Sequence, residues 1–200
     1  MHKSGTASLA GKGKEFSGNL FEIRLECGII FVKYATKTER THSVRRKEGK
    51  TDMKYASIRN ILIAGHAGSG KTTLTEALVY FSGAAERMGR VEDGTTISDF
   101  DPEEAKRKAS LSASVVPVEY EGIKYNLIDA PGLFDFEAGE YEGIRAAESV
   151  LVCVSGRSGV TVGAEKAFQL ARKNGKATMV FISKCDLENA NYFKILEEMK

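Results

Sequence analysis

The sequence has few of the features by which metal scaffolds, disulfide-bonded proteins or membrane proteins are recognised. Its 200 residues include only three cysteines, which stand far apart, whereas metal sites and disulfide frameworks need closer, paired spacings. No apolar run approaches the roughly 18 residues that a membrane span needs. The formal net charge is only +2, which is too balanced to indicate nucleic-acid binding. We therefore expect a cytoplasmic protein with free thiols, no membrane association and no direct DNA binding.

Charge is distributed unevenly along the chain. Residues 1–52 carry a net charge of +5 and residues 53–200 a net charge of −3. The change coincides with a basic run at 45–50 and with the first regular pattern of apolar residues. We interpret residues 1–52 as a basic, weakly structured amino-terminal extension and residues 53–200 as one α/β domain.

From residue 53 onward, short apolar runs alternate with segments of helical spacing. One example of the latter is 71–81, where Leu74, Ala77, Leu78 and Phe81 are spaced as on one helix face. Residues 83–114 form a long polar loop with a helical piece near 102–108, and a loop of that length is usually functional. The alternation predicts a mainly parallel sheet with helices on both faces. The predicted strands are 58–64, 115–120, 124–129, 149–155 and 177–183, and the predicted helices are 71–81, 141–148, 162–173 and 191–200.

A phosphate-binding loop is predicted between the first strand and the first helix of this domain. The segment fits the pattern G-x-x-x-x-G-K-[ST] in the strand–loop–helix context that the chemistry requires. Glycines let backbone N–H groups turn inward toward phosphate oxygens, and the start of the helix adds positive partial charge. Lys71 would reach the β- and γ-phosphates, and the Thr72 hydroxyl would ligate Mg²⁺. The predicted nucleotide-binding residues here are Gly65, His66, Ala67, Gly68, Ser69, Gly70, Lys71, Thr72 and the adjacent Thr73.

Two further motifs follow predicted strands. Asp129 begins an Asp-Ala-Pro-Gly segment at the end of the strand 124–129, where a carboxylate can hold Mg²⁺ through water. Gly132 could offer its N–H to a γ-phosphate and change conformation when that phosphate leaves. Ser183, Lys184 and Asp186 follow the strand 177–183. An ionised carboxylate accepts two hydrogen bonds, which suits the donors of guanine and not adenine, and the Lys184 stem could cover the base.

Four stretches of the domain closely resemble elongation factor G, and above all its divergent paralogues. They are KYASIRNILIAGHAGSGKTTLTE, GRVEDGTTISDFDPEEAKRKASLSASVVP, NLIDAPGLFD and FISKCDLENANYFKILEE. The resemblance covers residues 53–200 and implies a P-loop NTPase fold that binds GTP or GDP with Mg²⁺. It also implies a monomeric GTPase that acts on the ribosome, in translocation or in recycling.

The resemblance also assigns residues. Lys71 and Gly132 take the catalytic roles, and Asp129 and Gly132 match the family's D-x-x-G. Lys184 and Asp186 match its N-K-x-D. Ser110 matches the threonine that binds Mg²⁺ in the first switch loop, so that the predicted metal ligands are Thr72, Ser110 and Asp129.

The sequence departs from the family pattern at three points. Leu133 stands where the family has a histidine that places the attacking water, so we expect slow or impaired hydrolysis. Ser183 replaces an asparagine that braces the phosphate loop, so we expect weaker nucleotide binding. The family's last strand of the domain would follow residue 200, so the fold is expected to be truncated at its carboxyl end.

These departures leave alternatives open. The chain could be a non-catalytic or slow GTP-binding regulatory module, or a P-loop ATPase of another class. A strand at 177–183 without a neighbour would be an exposed sheet edge, and this could leave the chain poorly folded and inactive.

Overall fold

The computed structural model describes residues 19–26, 29–36 and 57–199. Its strands are β1 (Asn19–Glu26), β2 (Ile29–Thr36), β3 (Ser57–Gly65), β4 (Ser114–Tyr120), β5 (Ile123–Asp129), β6 (Ser149–Ser155) and β7 (Ala177–Ser183). Its helices are α1 (Lys71–Phe81), α2 (Pro102–Arg107), α3 (Glu137–Ala146), α4 (Val162–Lys173) and α5 (Tyr192–Glu198). One short 3₁₀ turn, Phe134–Phe136, precedes α3.

The strands form one mixed sheet in the order β1-β2-β7-β6-β3-β5-β4. The four central strands, β7, β6, β3 and β5, are parallel. Strands β2 and β4 pair antiparallel with β7 and β5, and β1 pairs antiparallel with β2. The parallel centre follows from the helical crossovers between its strands, and it brings the carboxyl ends of β3, β5, β6 and β7 to one edge. The predicted α/β fold with a mainly parallel centre is confirmed.

The core lies on both faces of the sheet, because neighbouring residues of a strand point to opposite sides. Leu62 and Ala64 of β3 belong to the larger cluster, which contains residues of α3, α4 and α5. Ile63 points to the smaller cluster, together with Val79 of α1. This two-sided burial is why the central strands read as continuous apolar runs.

The predicted boundaries agree closely for most elements, and the largest error concerns α3. The sequence predicts a helix over 141–148, whereas the structure has Glu137–Ala146. The helix begins earlier because its first turn is acidic, with Glu137 and Glu140 near the positive end of the helix dipole. It ends earlier because Ala147 is extended, so the bond from its N–H to the carbonyl of Gly143 is the last of the helix, and the next N–H, of Glu148, donates to Asn60 of β3.

The edge of the sheet at β7 has a neighbour. Strand β2 pairs with β7 antiparallel from Phe31–Phe181 to Tyr34–Thr178, and β1 pairs with β2. The expectation that β7 is an unpaired edge is therefore wrong, because two strands from within residues 1–52 complete that side. Cys27 and the rest of the extension lie outside the described residues, and the division at residue 52 remains a prediction. No helix in the described part of the chain is long and apolar enough to cross a membrane.

Candidate functional site

The predicted phosphate loop lies where β3 ends and α1 begins. Gly65 has a φ of 135°, and a Cβ there would come within 2.5 Å of the carbonyl oxygen of Cys153 on the neighbouring strand β6. A side chain cannot be accommodated at that distance, so the loop leaves the sheet only with glycine. Gly70, with a φ of 88°, precedes the first helical residue, Lys71. The loop therefore closes around the amino terminus of α1.

Lys71 is almost fully buried, with 6% of its surface exposed. Its ammonium group donates a hydrogen bond of 3.0 Å to the carbonyl of His66. Burial lowers the pKa of Lys71, while the carboxylates of Asp129, Glu140 and Asp99 oppose that shift. These carboxylates favour the charged form of Lys71. The ammonium group therefore lies at the mouth of the loop, where it can bind an anionic ligand.

Three oxygen-bearing side chains meet beside Lys71. The Thr72 hydroxyl donates to Asp129 Oδ2 at 2.8 Å, and it lies 3.4 Å from the hydroxyl of Ser110. The other Asp129 oxygen, Oδ1, is buried and receives no hydrogen bond from the residues that the structure describes. Hard oxygen donors are the ligands that Mg²⁺ prefers, so Thr72, Ser110 and Asp129 fit the predicted ion.

The electrostatic environment of this cluster favours a bound cation. Burial raises the pKa of Asp129 to about 6, against the lowering effects of the Thr72 hydroxyl and Lys71. Burial likewise raises the pKa of Asp99, whose carboxylate accepts a hydrogen bond of 2.7 Å from Ser110. Because the hydroxyl hydrogen of Ser110 is used in that bond, the lone pairs of the Ser110 oxygen remain available to a metal ion. Within the described ranges, no cluster of three or more His, Cys, Asp or Glu side chains could hold a metal.

Gly132 packs directly against the phosphate loop. The N–H of Ala67 donates to the carbonyl of Gly132 at 3.0 Å. A Cβ on Gly132 would come 2.6 Å from the backbone nitrogen of Ala67 and would overlap the ammonium group of Lys71. The next residue, Leu133, is partly exposed beside this contact and has no group that could orient water.

The predicted base-recognition residues lie at the end of β7, against the same loop. The Ser183 hydroxyl donates to the carbonyl of Ser69 at 2.7 Å, and the Lys184 ammonium group donates to the carbonyl of Gly68 at 2.9 Å. Asp186 is exposed and lines an open cavity of about 640 Å³ together with Gly70 and Thr73. Serine therefore retains one bond to the phosphate loop at the position where the family has asparagine.

Comparison with known proteins decides the family. The model of the elongation factor Tu GTP-binding domain matches residues 56–200. The chain belongs to this family.

Several of its relatives carry the name elongation factor G. The GTP-binding domain is 37% identical over 139 residues to an elongation factor G-like protein of Mycobacterium tuberculosis (strain CDC 1551 / Oshkosh), covering 70% of this chain and 20% of that protein. It is 33% identical over 143 residues to elongation factor G 2 of Borreliella afzelii (strain PKo), covering 72% and 21%. A crystal structure from Thermus thermophilus superposes with a TM-score of 0.68 at 44% identity, covering 71% and 21%. The chain thus spans about a fifth of the length of each relative.

The long loop of the GTP-binding domain, residues 83–113, is fastened by two buried glutamates. Glu76 of α1 accepts backbone hydrogen bonds from Gly89 at 3.0 Å and Ile97 at 2.5 Å. Glu104 of α2 accepts one from Leu111 at 2.8 Å and two from Ser112, from its N–H at 3.1 Å and its hydroxyl at 3.3 Å. Both side chains are 1% exposed. These contacts bring the loop back over α1 and place Ser110 beside Thr72.

Four residues of this region were not predicted as functional from the sequence. Asp99 holds Ser110, Glu76 and Glu104 hold the loop, and Glu140 lies close enough to Lys71 to affect its pKa. Asp99 lies within the stretch that resembles elongation factor G, but its spacing alone indicates no partner. The other three are glutamates in helical segments, and a glutamate there ordinarily faces solvent.

Proposed function

We propose that this GTP-binding domain binds GTP and GDP with Mg²⁺ and hydrolyses GTP slowly. The observation that carries the proposal is the meeting of Thr72, Ser110 and Asp129 beside the buried ammonium group of Lys71. A buried cation next to hard oxygen donors, at the start of a helix, suits a magnesium-bound polyphosphate.

Each part of the site has a role in this proposal. The backbone N–H groups of the phosphate loop, residues 65–73, bind phosphate oxygens, and Lys71 contacts the β- and γ-phosphates. Mg²⁺, when bound by Thr72, Ser110 and Asp129, supplies positive charge that offsets the phosphate oxygens. Gly132 offers its N–H to the γ-phosphate after its carbonyl releases Ala67. Lys71 and Gly132 are therefore the residues that we assign to catalysis.

Guanine specificity would come from the end of β7. Asp186, free at the cavity wall, would accept the two hydrogen bonds that guanine offers and adenine does not. Lys184, fixed to Gly68, would cover the base with its alkyl stem. Ser183 would hold the phosphate loop against β7 through Ser69.

A titration of the folded 200-residue chain with fluorescent GDP and fluorescent ADP in Mg²⁺ buffer tests this binding. We expect GDP to bind much more tightly than ADP, Lys71→Ala to weaken GDP binding, and Asp186→Asn to reduce the preference for GDP. Equal binding of the two nucleotides would favour a P-loop ATPase of another class. A chain that is folded by circular dichroism and binds neither nucleotide would refute the proposal.

A second candidate is a non-catalytic regulatory module, and Leu133 favours it. Orienting the attacking water is a large part of GTP hydrolysis, and an aliphatic side chain can neither donate nor accept a hydrogen bond. Single-turnover hydrolysis with and without ribosomes distinguishes the two candidates. Turnover that ribosomes accelerate supports a GTPase, whereas GTP that stays intact under both conditions supports the module.

For the whole protein we propose a monomeric cytoplasmic translation factor that acts on the ribosome, in translocation or in recycling. The support is the likeness to proteins named elongation factor G, of which this chain spans about a fifth. Sedimentation of the full-length protein with ribosomes in the presence of a non-hydrolysable GTP analogue tests whether the protein binds ribosomes. Absence of the protein from the ribosome fraction would contradict it.

A further inference from the structure

Glu140 lies in a small cavity beside the site and belongs to no motif of the nucleotide-binding fold described above. The cavity has a volume of about 10 Å³, which is about the space that one water molecule needs. Its wall includes Gly65 of the phosphate loop, Gly132 and Leu133 after β5, and Lys166 of α4. Glu140 therefore reaches the side of the site where Gly132 would meet a γ-phosphate.

Glu140 is half-buried, and one oxygen of its carboxyl group has no hydrogen-bond partner among the described residues. This oxygen, Oε1, is itself buried. Glu137, one helical turn earlier on α3, forms an ion pair of 3.0 Å with Lys166, and both side chains are partly exposed. The two glutamates line the same cavity, but of the two only Glu137 forms a direct ion pair with a described residue. Burial that is not offset by a direct ion pair disfavours the ionised form of Glu140.

Charges from each neighbouring element act on Glu140. Burial raises its pKa to about 7; Lys71 of the phosphate loop and Lys166 of α4 oppose the rise, and Glu137 of α3 adds to it. The ring of His66, which packs against Gly163 of α4, also lies in this region. Near pH 7, Glu140 therefore exists in both its protonated and its ionised form.

A γ-phosphate would act on this equilibrium. It would bring additional negative charge to Lys71 and Gly132, so it would compete with ionised Glu140 for the same cation. Protonated Glu140 is neutral, so it does not compete with the γ-phosphate for Lys71, and its carboxyl O–H can donate a hydrogen bond. GDP has no γ-phosphate, so the protonated fraction of Glu140 in the GDP complex stays closer to that in the free domain.

We propose that Glu140 makes the choice between GTP and GDP depend on pH, because Glu140 is protonated to a larger extent in the GTP complex than in the GDP complex. The inference rests on the proposed nucleotide site. The sign follows from linkage: the state that binds more protons is favoured as pH falls. Preference for GTP over GDP should therefore increase on going from pH 8.5 to pH 6.

The test is a titration of the 200-residue chain with fluorescent GDP and a fluorescent, non-hydrolysable GTP analogue in Mg²⁺ buffer over this pH range. The binding of one additional proton changes the affinity ratio by at most about tenfold per pH unit. The γ-phosphate itself titrates, so the quantity of interest is the slope of the parent minus the slope of Glu140→Gln. We expect the parent to be steeper, with the difference largest just above pH 7. Glu140→Leu is a second neutral variant in case the first does not fold.

Glu137→Gln is the matched control, since it removes a carboxylate from the same helix and cavity but leaves Glu140 in place. It should keep most of the parent slope. Calorimetry in two buffers of different ionisation enthalpy should find more protons taken up with the GTP analogue than with GDP, and this excess should vanish in Glu140→Gln. Equal slopes in the parent and both neutral variants would overturn the inference while leaving guanine binding intact. Failure of the folded parent to bind either nucleotide would overturn both proposals.

Discussion

Replacing Glu76 with glutamine should destabilise the GTP-binding domain by about 2–4 kcal/mol. Glu76 is 1% exposed, and each of its oxygens accepts one backbone hydrogen bond, from Gly89 at 3.0 Å and from Ile97 at 2.5 Å. An amide has only one acceptor, so one of the two N–H groups must face the new NH₂ group. The variant loses one charge-assisted hydrogen bond, leaves a backbone donor unsatisfied and weakens the remaining bond.

This loss is large compared with the total stability of a domain, which is typically about 5–15 kcal/mol. Urea denaturation followed by circular dichroism should show a clear fall in the midpoint with an unchanged slope. Hydrogen exchange should show faster exchange at the amides of Gly89 and Ile97, because these are the donors released. Exchange in the central strands should change less, since the lost bonds fasten the loop and not the sheet.

The matched control is Glu86→Gln, the same substitution at an exposed position five residues beyond the end of α1. It should change stability by less than about 0.5 kcal/mol. The reasoning is refuted if Glu76→Gln unfolds at the same urea concentration as Glu86→Gln. In that case the loop would not depend on the buried carboxylate, and the position of Ser110 would need another explanation.

Three further experiments test the rest of the site. Gly132→Ala should weaken GDP binding at least about tenfold, because the new methyl group would come 2.6 Å from the nitrogen of Ala67; equal GDP affinity in a fluorescence titration would contradict the close packing. Leu133→His should raise single-turnover GTP hydrolysis by about tenfold or more, and Leu133→Ala should not; equal rates would remove Leu133 as the cause of slow turnover. Alkylation at pH 8, followed by peptide mass spectrometry, should modify Cys185 and spare Cys153, whose pKa burial raises to about 12. GDP should protect Cys185, which lines the cavity proposed for the base, and labelling that GDP does not change would argue against that placement.

Local pattern was enough to predict most elements of the domain. The runs at 149–155 and 177–183 are almost entirely apolar between their ends, as is typical of strands buried on both faces, and they became β6 and β7 with the predicted bounds. Helix α1 was predicted with the correct ends. The spacing that predicted it did not show which residues are buried: Leu74 packs against the core, whereas Leu78 and Phe81 are exposed. Lys71, Thr75 and Glu76 are buried instead, since Lys71 lies in the phosphate site and Glu76 binds the long loop.

The candidate site was predictable where the chemistry depends on a contiguous motif. Lys71 and Thr72 follow from one loop, and Asp129 and Asp186 follow from the rule that parallel strands carry their ligands at their carboxyl ends. The bond from Ser183 to Ser69 joins residues 114 positions apart, so local pattern could not predict it, and only the family resemblance placed position 183 against the phosphate loop. The pairing of β2 with β7 could not be predicted either, since the partner of an edge strand is a long-range choice that local pattern does not encode.

The sequence by itself determined that this chain is an α/β nucleotide-binding domain, because strand–loop–helix order and the motif spacings are local properties. Only the tertiary structure decided which carboxylates are buried and what each one contacts. Glu76, Glu104 and Glu140 look alike in the sequence, yet the first two accept backbone hydrogen bonds and the third has a buried oxygen without one. The difference arises because burial and hydrogen bonding depend on which distant backbone segments fold against each helix, and that is fixed only when the whole sheet is assembled.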